Sequence, residues 1–390
     1  MEGFRSWPYD EKPLLVFWES TRACQLACIH CRAEAILNPL PGELSNGEAL
    51  RLIDEIVSFS EPRPILIITG GDPLMRRDIW DLLSYAASLR LKTSLAPSVT
   101  PLLNDKSIKM ISDIGVSAVS ISIDSAHPEV HDKIRGVKGV WSRSVEVIKK
   151  FRDYGVKVQV NTVVMRPTLN SLPDMVALLR KFEVPVWEVF YLVRVGRAQE
   201  KLDLTPEEWE AVSHFLYEAS KYDVTVRTVE GPMFRRVAMV RRFLESMNVD
   251  PDVILKPGSL YEGLLNRLKT LLGPPTSKPK AYTVGTRDGK GIVFIAYNGD
   301  VYPSGFLPVK AGNIRERSLR DIYTRSSLFL ALRRGEFKGK CGACKFKEIC
   351  GGSRARAYSI YGDPLAEDPA CPYEPNYYES IGLNMKVISS

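Results

Sequence analysis

No stretch of the chain is apolar for long enough to cross a membrane. Its opening, MEGFRSWPYDEKPLLVFWES, lacks the basic segment, apolar run and small-residue cleavage site of a secretory leader. A soluble, cytoplasmic protein with no membrane partner is therefore expected. An excess of one charge is also missing: Lys and Arg number 53 against 46 Asp and Glu, a surplus of seven. So mild a surplus suits anionic ligands without calling for nucleic acid, which is not expected as a partner. Cysteine is sparse and odd in number, and a secreted disulfide framework built on seven would leave one over, so disulfides explain the count poorly. No internal repeat is visible. What is there is 390 residues, 45% hydrophobic and 25% charged, enough for two or three domains with a sizeable core.

From residue 14 to about 225, short β-branched runs alternate with longer segments of helical period, the pattern of repeated βα units. The expected strands are Leu14–Trp18, Ile65–Thr69, Lys92–Leu95, Ala118–Asp124, Val156–Val164 and Val186–Leu192. The first two are continuously apolar and read as buried on both faces, whereas the fifth alternates. Ser45 with Glu48 forms a capping box before a helix whose Leu50, Ile53, Ile56 and Val57 share a face. Thr205-Pro206-Glu207-Glu208 marks a second helix start. Six strands with six helices predict a partial (β/α)6 TIM-like barrel over residues 1–225. Residues 226–285 read as a basic helical bridge ending in the linker LLGPPTSKPK. Beyond it, Gly291–Tyr302 reads as a hairpin turning at Asn298-Gly299-Asp300, opening a small C-terminal domain over 286–390.

Cys24, Cys28 and Cys31 follow the first strand directly, so three thiols leave the strand's C-terminal end on one loop, where barrel-like folds build active sites. Buried packing cysteines and a zinc site are the competing readings. Zinc wants four ligands, and His30 is a poor fourth because adjacent loop residues rarely face one ion. Three cysteines holding a 4Fe-4S cluster would leave one iron free to chelate a small molecule.

The spacing Cys-x3-Cys-x2-Cys, with Gly70-Gly71-Asp72-Pro73 ending the second strand, resembles the radical S-adenosylmethionine (SAM) superfamily. The resemblance implies that the free iron chelates the methionine moiety of SAM. It also implies that one electron cleaves SAM to a 5′-deoxyadenosyl radical, which abstracts hydrogen from substrate. It makes His30 a ring packing near the adenine, lets Gly70 and Gly71 admit the cofactor to the backbone, and gives Asp72, usually Glu in relatives, the methionine ammonium. Ser122-Ile123-Asp124 and the stretch ending at Arg135-Gly136 resemble a further family motif, in which Ser122 and Asp124 face the ribose and Arg135 the methionine carboxylate. His127 and His131 are expected to face solvent or cap a helix. A ferredoxin- or flavodoxin-type protein is the implied electron donor.

Cys341, Cys344, Cys350 and Cys371 use the remaining cysteines with spacings x2, x5 and x20. A zinc ribbon is the alternative. The pattern resembles the SPASM domain, which implies an auxiliary 4Fe-4S cluster on these four and so two clusters in the chain. Ser304 and Arg354 stand where a full SPASM pattern has further cysteines, so one auxiliary cluster is expected. Trp18–Cys24, His30–Ala35 and Cys350–Tyr358 resemble the haem b synthase branch, which implies decarboxylation of a tetrapyrrole, although Ser353 departs from it. Peptide maturation, modification of another cofactor, and a non-catalytic zinc or iron–sulfur protein stay open beside it. Arg235, Arg236, Arg241 and Arg242 are expected on a solvated helix face rather than on substrate carboxylates, and Arg194 and Arg197 near the barrel mouth, where nearby carboxylates could pair with them.

Overall fold

The computed structural model describes residues 7–282 and 285–383. In chain order the elements begin β1 (Leu15–Glu19), α1 (Asn46–Val57), β2 (Ile65–Thr69), α2 (Ile79–Ser88), β3 (Thr93–Leu95), α3 (Asp105–Ile114) and β4 (Ala118–Ser122). They continue with α4 (Pro128–Arg135), α5 (Val140–Asp153), β5 (Val158–Val164), α6 (Leu172–Lys181), β6 (Val186–Tyr191), α7 (Pro206–Ala219) and β7 (Thr225–Val229). Next come α8 (Met233–Ser246), α9 (Pro251–Leu255), α10 (Ser259–Leu272), β8 (Ile292–Ile295), β9 (Asp300–Tyr302) and β10 (Gly312–Asn313). The remaining helices are α11 (Leu319–Arg325), α12 (Ser327–Arg334), α13 (Gly339–Ala343), α14 (Arg354–Tyr361) and α15 (Tyr377–Ser380). All six expected strands form, with ends shifted by two residues at most, and the alternation is that of a partial βα barrel. Among the described residues no helix is long and apolar enough to cross a membrane.

The chain divides into two compact units. One holds the residues up to Asn161, Val195–Gln199 and Thr286–Arg334; the other holds Thr162–Arg194, Glu200–Gly285 and Gly335 onward. These divisions do not coincide with the boundaries expected at 225 and 285. In the first unit the strand order is β10-β9-β8-β1-β2-β3-β4-β5, with β1 to β5 parallel. The expected hairpin forms as antiparallel β8 and β9, but β8 also pairs in parallel with β1, Leu15 opposite Ile292. It therefore extends the core sheet. β1 and β2 alternate buried with half-buried residues rather than being covered on both faces, while β5 alternates as its sequence suggests. Apolar side chains commonly stay on partly solvated surface, so an unbroken apolar run overstates burial. Ser45 and Glu48 make the capping box of α1, which buries Ala49, Leu52, Ile53 and Ile56; Leu50 and Val57 are only half-buried.

In the second unit β6 pairs in parallel with β7, an element the sequence pattern did not single out. Thr205 and Glu208 box the start of α7, with Pro206 at its first turn. Helix α8 packs on α7, and α10 packs on both α6 and α7, so residues 226–285 are mostly packed structure rather than a bridge. The arginines of α8 correct the solvated-face expectation. Arg236 and Arg241 are each 1% exposed. Arg236 meets Glu210 at 2.6 Å, and Arg241 meets Glu218 and Asp252 at 2.7 and 2.8 Å. Arg235 donates to the Ile349 carbonyl and Arg242 to that of Ala281. Glu210, His214 and Glu218 recur every fourth residue of α7, one helix face that offers α8 two carboxylates and, at His214, a hydrogen-bond partner for Arg241. A wheel drawn on α8 alone cannot see them.

Candidate active site and auxiliary metal centre

The loop after β1 carries Cys24, Cys28 and Cys31, and backbone contacts fix it from several sides. Gly71 N donates to the Thr21 carbonyl at 2.8 Å and Asp72 N to that of Ala23 at 2.7 Å. Ala27 N and Ile29 N donate to the carbonyls of Arg135 and Ile134, both at 3.0 Å, and Arg197 N donates to that of Cys31 at 3.0 Å. A Cβ at Gly70 would sit 2.3 Å from the Thr21 carbonyl oxygen, and one at Gly71 2.4 Å from that of Ala23. The same holds at Gly196, where φ is +58° and a Cβ would lie 2.4 Å from the Cys31 carbonyl oxygen. These glycines let the cysteine loop lie on neighbouring backbone.

A carboxylate anchors both ends of this loop. Glu19, fully buried at the end of β1, meets Arg22 at 3.1 Å before the first cysteine and Arg32 at 2.9 Å after the third. The thiols themselves take weak donors: Leu26 N lies 3.4 Å from Cys24 Sγ, Ala35 N 3.4 Å from Cys31 Sγ, and Arg135 Nη1 3.7 Å from Cys28 Sγ. Burial pushes the Cys24 and Cys28 thiols up, so metal would have to displace their protons.

Around the thiols stand most of the expected site residues. Arg135 meets the fully buried Asp124 at 2.8 Å while reaching toward Cys28. Asp124 N donates to His131 Nδ1 at 3.1 Å. His131 is fully buried, so it neither faces solvent nor caps: it serves as an acceptor inside the site. His127 is the residue before α4 and makes no side-chain cap. Burial lowers both His30 and His131 to about 4, leaving both rings neutral near pH 7. Asp72 is fully buried and its carboxylate accepts from Thr100 Oγ1 at 2.8 Å, Leu74 N at 3.2 Å and Ser98 N at 3.3 Å. Oδ1 thus has two protein donors and Oδ2 one, Ser98 and Thr100 lying just past β3, a position the motif reading missed. Ser122 ends β4, half-buried. Arg194 pairs with Glu200 and Asp203, as the sequence left open.

Several buried nitrogens here have no hydrogen-bond partner among the described residues: His30 Nδ1, His131 Nε2, Arg135 Nε, and Nε and Nη2 of Arg197. Buried donors without acceptors suit a site for an anionic, hydrogen-bonding ligand. The carboxylate and adenine of SAM fit that description, and three thiols with no fourth fit a cluster with one open iron.

The second thiol set lies wholly in the other unit. Cys350 belongs to an apolar cluster with Phe346, Tyr373 and Tyr378, against which Cys344 and Cys371 pack. A Cβ at Gly352, where φ is +68°, would sit 2.8 Å from Cys341 Sγ. Every thiol has a backbone donor: Asp368 N for Cys341 at 3.3 Å, Phe346 N for Cys344 at 3.4 Å, and the N–H groups of Gly352 and Tyr373 for Cys350 and Cys371. Such donors favour thiolate sulfur. Burial pushes the Cys371 thiol up to about 12. Ser353 caps α14, accepting from Arg356 N at 3.0 Å, and donates to Glu230. Ser304 belongs to the first unit.

Among the described residues no three His, Cys, Asp or Glu side chains are gathered closely enough to hold a single metal ion. Two family models then match the chain: "Radical SAM superfamily" over residues 18–179 and "Iron-sulfur cluster-binding domain" (SPASM) over 287–345. The AdoMet-dependent heme synthase of Nitratidesulfovibrio vulgaris is 36% identical over 365 residues, spanning 93% of this chain and 92% of that one. The chain belongs to the radical SAM superfamily. The AdoMet-dependent heme synthase of Methanosarcina barkeri is 34% identical, over 93% of this chain and 97% of its own. In fold, this radical SAM enzyme is similar to native anSMEcpe with bound AdoMet, with TM-score 0.63, 17% identity, and coverage of 94% and 95% of the two chains. It binds a 4Fe-4S cluster and SAM in its radical SAM domain and iron–sulfur in its SPASM domain.

Proposed function

We propose that this radical SAM enzyme removes carboxylates from the propionate side chains of an iron tetrapyrrole, as a haem-forming synthase. What supports the reading is the length of the likeness: relatives named heme synthases align with 93% of the chain at 34–36% identity. The cysteine loop is assigned the role of holding the SAM-cleaving cluster through Cys24, Cys28 and Cys31. When bound there, the cluster and SAM supply a 5′-deoxyadenosyl radical able to abstract hydrogen from a substrate carbon.

The protein's own part is positioning. Arg135, already beside Asp124, offers a guanidinium to the methionine carboxylate, and its remaining Nε–H has no acceptor until a ligand arrives. Neutral His30 packs as a ring and does not repel a sulfonium. Ser122 and Asp124, at the end of β4, are assigned to the ribose side. Asp72 holds the Ser98–Thr100 loop in place, and its carboxylate, with the backbone of the Gly70-Gly71 turn, is assigned to the methionine ammonium. Cys341, Cys344, Cys350 and Cys371 are assigned one auxiliary cluster. A ferredoxin- or flavodoxin-type donor and a cytoplasmic location accompany this reading.

The test is anaerobic reconstitution followed by turnover with dithionite, SAM and iron coproporphyrin, scoring 5′-deoxyadenosine and loss of carboxylates from the porphyrin by mass spectrometry. Decarboxylated porphyrin formed in step with 5′-deoxyadenosine is expected. Cofactor cleavage with unchanged porphyrin would retire the tetrapyrrole, and modification of a genetically neighbouring peptide under the same conditions would replace it.

A further inference from the structure

Arg354 stands where the fuller cysteine pattern has another thiol, and its surroundings are unusual for an arginine. The side chain is fully buried. Nε donates to the Gly352 carbonyl at 3.2 Å, Nη1 to the carbonyls of Pro364, at 3.1 Å, and Ala366, and Nη2 points at Cys341 Sγ, 3.6 Å away. The guanidinium also lies over the Phe337 ring, 4.5 Å from its centroid. No carboxylate among the described residues forms an ion pair with it. The neighbouring cations differ in this respect: Arg236 is paired with Glu210, Arg356 with Asp368 and Lys340 with Glu374. A buried charge without a counter-charge is strongly disfavoured. The groups here able to become anionic and accept from it are the thiolates of the Cys341 set.

We infer that Arg354 is the built-in counter-charge of the auxiliary cluster and holds its reduction potential up. A cluster on four thiolates is anionic, and one-electron reduction adds a further negative charge. A cation fixed against Cys341, with no carboxylate in direct contact, favours the reduced form; at an effective dielectric near 20, one charge roughly 10 Å from the added electron shifts the equilibrium about tenfold. Arg354 is then a positioning and tuning residue of the auxiliary centre. This inference rests on the assignment of an auxiliary cluster to the C-terminal cysteines.

The experiment uses the full chain carrying Cys24→Ala, Cys28→Ala and Cys31→Ala, so that only the auxiliary site can load. Iron and sulfide analysis comes first; a background variant without iron overturns the cluster assignment, and this inference with it, before Arg354 is touched. In the loaded background, Arg354→Gln and Arg354→Lys are compared by EPR-monitored redox titration with chemical mediators. Arg354→Gln is expected to lower the reduced-to-oxidised ratio at fixed solution potential about tenfold, equivalent to about 59 mV for one electron, with Arg354→Lys staying near the parent. Full iron with an unchanged midpoint in Arg354→Gln overturns the inference. If Arg354→Gln loses its iron, Arg354→Lys decides: a loaded cluster at the parent potential supports the counter-charge, and loss of iron or a shifted midpoint overturns it in favour of a purely structural arginine.

Discussion

The two cysteine sets differ less in burial than in what surrounds the sulfur. Cys24, Cys28 and Cys31 sit among titratable side chains, and several buried nitrogens there lack partners. Cys341, Cys344, Cys350 and Cys371 each have a backbone N–H, as only Cys24 and Cys31 do in the first set, and Phe346, Tyr373 and Tyr378 pack among them. One site keeps unspent hydrogen-bonding capacity, as a site that must grip a polar cofactor should. The other has four thiols to close a coordination sphere, as befits a centre that only stores or passes electrons. Family membership alone gives both sites iron and sulfur.

Removing thiols is the most direct way to break that comparison. Cys24→Ala, Cys28→Ala or Cys31→Ala is expected to lower reductive 5′-deoxyadenosine formation by more than about a thousandfold, because each removes a cluster ligand from a set with none to spare. Cys344→Ala or Cys350→Ala should leave SAM cleavage within about tenfold of the parent while porphyrin product is lost. Chromatographic assay of 5′-deoxyadenosine alongside product separates the two. Equal loss of SAM cleavage in both groups would mean that the sites do not divide the work.

Much of this was legible in the sequence because it is local. Thiol spacing, the Ser45–Glu48 and Thr205–Glu208 boxes and the strand runs are all set within a few residues. What stayed hidden depends on partners far along the chain. Gly70 and Gly71 read as room for a cofactor, and the sequence does not show that Thr21 and Ala23 also fill the space their side chains would need. His131 looked exposed because its acceptor role depends on Asp124 N, and the α8 arginines looked solvated because their carboxylates lie on α7. The edge of β1 gave no sign that it would recruit β8, some 270 residues later, since backbone pairing carries little side-chain signature.

The glycines offer a second, smaller contrast. A methyl at Gly71 meets backbone 2.4 Å away that cannot turn aside, whereas one at Gly352 meets only side-chain atoms, Cys341 Sγ, Arg354 Nη2 and Asp368 Cβ, at 2.6–2.8 Å. Gly71→Ala should therefore displace the cysteine loop, destabilising the fold by about 3 kcal/mol or more, and Gly352→Ala by nearer 1 kcal/mol. Glu19→Gln belongs beside them: it strips the counter-charge from Arg22 and Arg32 at once, and breaking a buried pair in this way costs about 3 kcal/mol. Thermal unfolding of the apo proteins checks the order, and iron per chain checks which site each change empties. If Gly352→Ala proved the worst of the three, the rigid frame would be at the C-terminal site instead.

The gentlest probe is pH, because it perturbs the N-terminal site without altering a residue. His131 has a folded-state pKa of about 4, held down chiefly by burial, against an ordinary 6.5. The unfolded chain thus binds the proton more readily between those values, so stability from this ring is complete above about pH 6.5 and drains away as pH falls toward 4. The full difference is on the order of 3 kcal/mol, of which roughly half is already lost by pH 5. Asparagine can still accept the Asp124 N–H yet takes up no proton. Apo His131→Asn should accordingly show a shallower fall in Tm between pH 7.5 and 5 than the parent, with little difference at the upper end. Parallel falls in the two proteins would place the acid-sensitive group elsewhere, and would remove His131 from the polar set that distinguishes the SAM-binding loop from its closed counterpart.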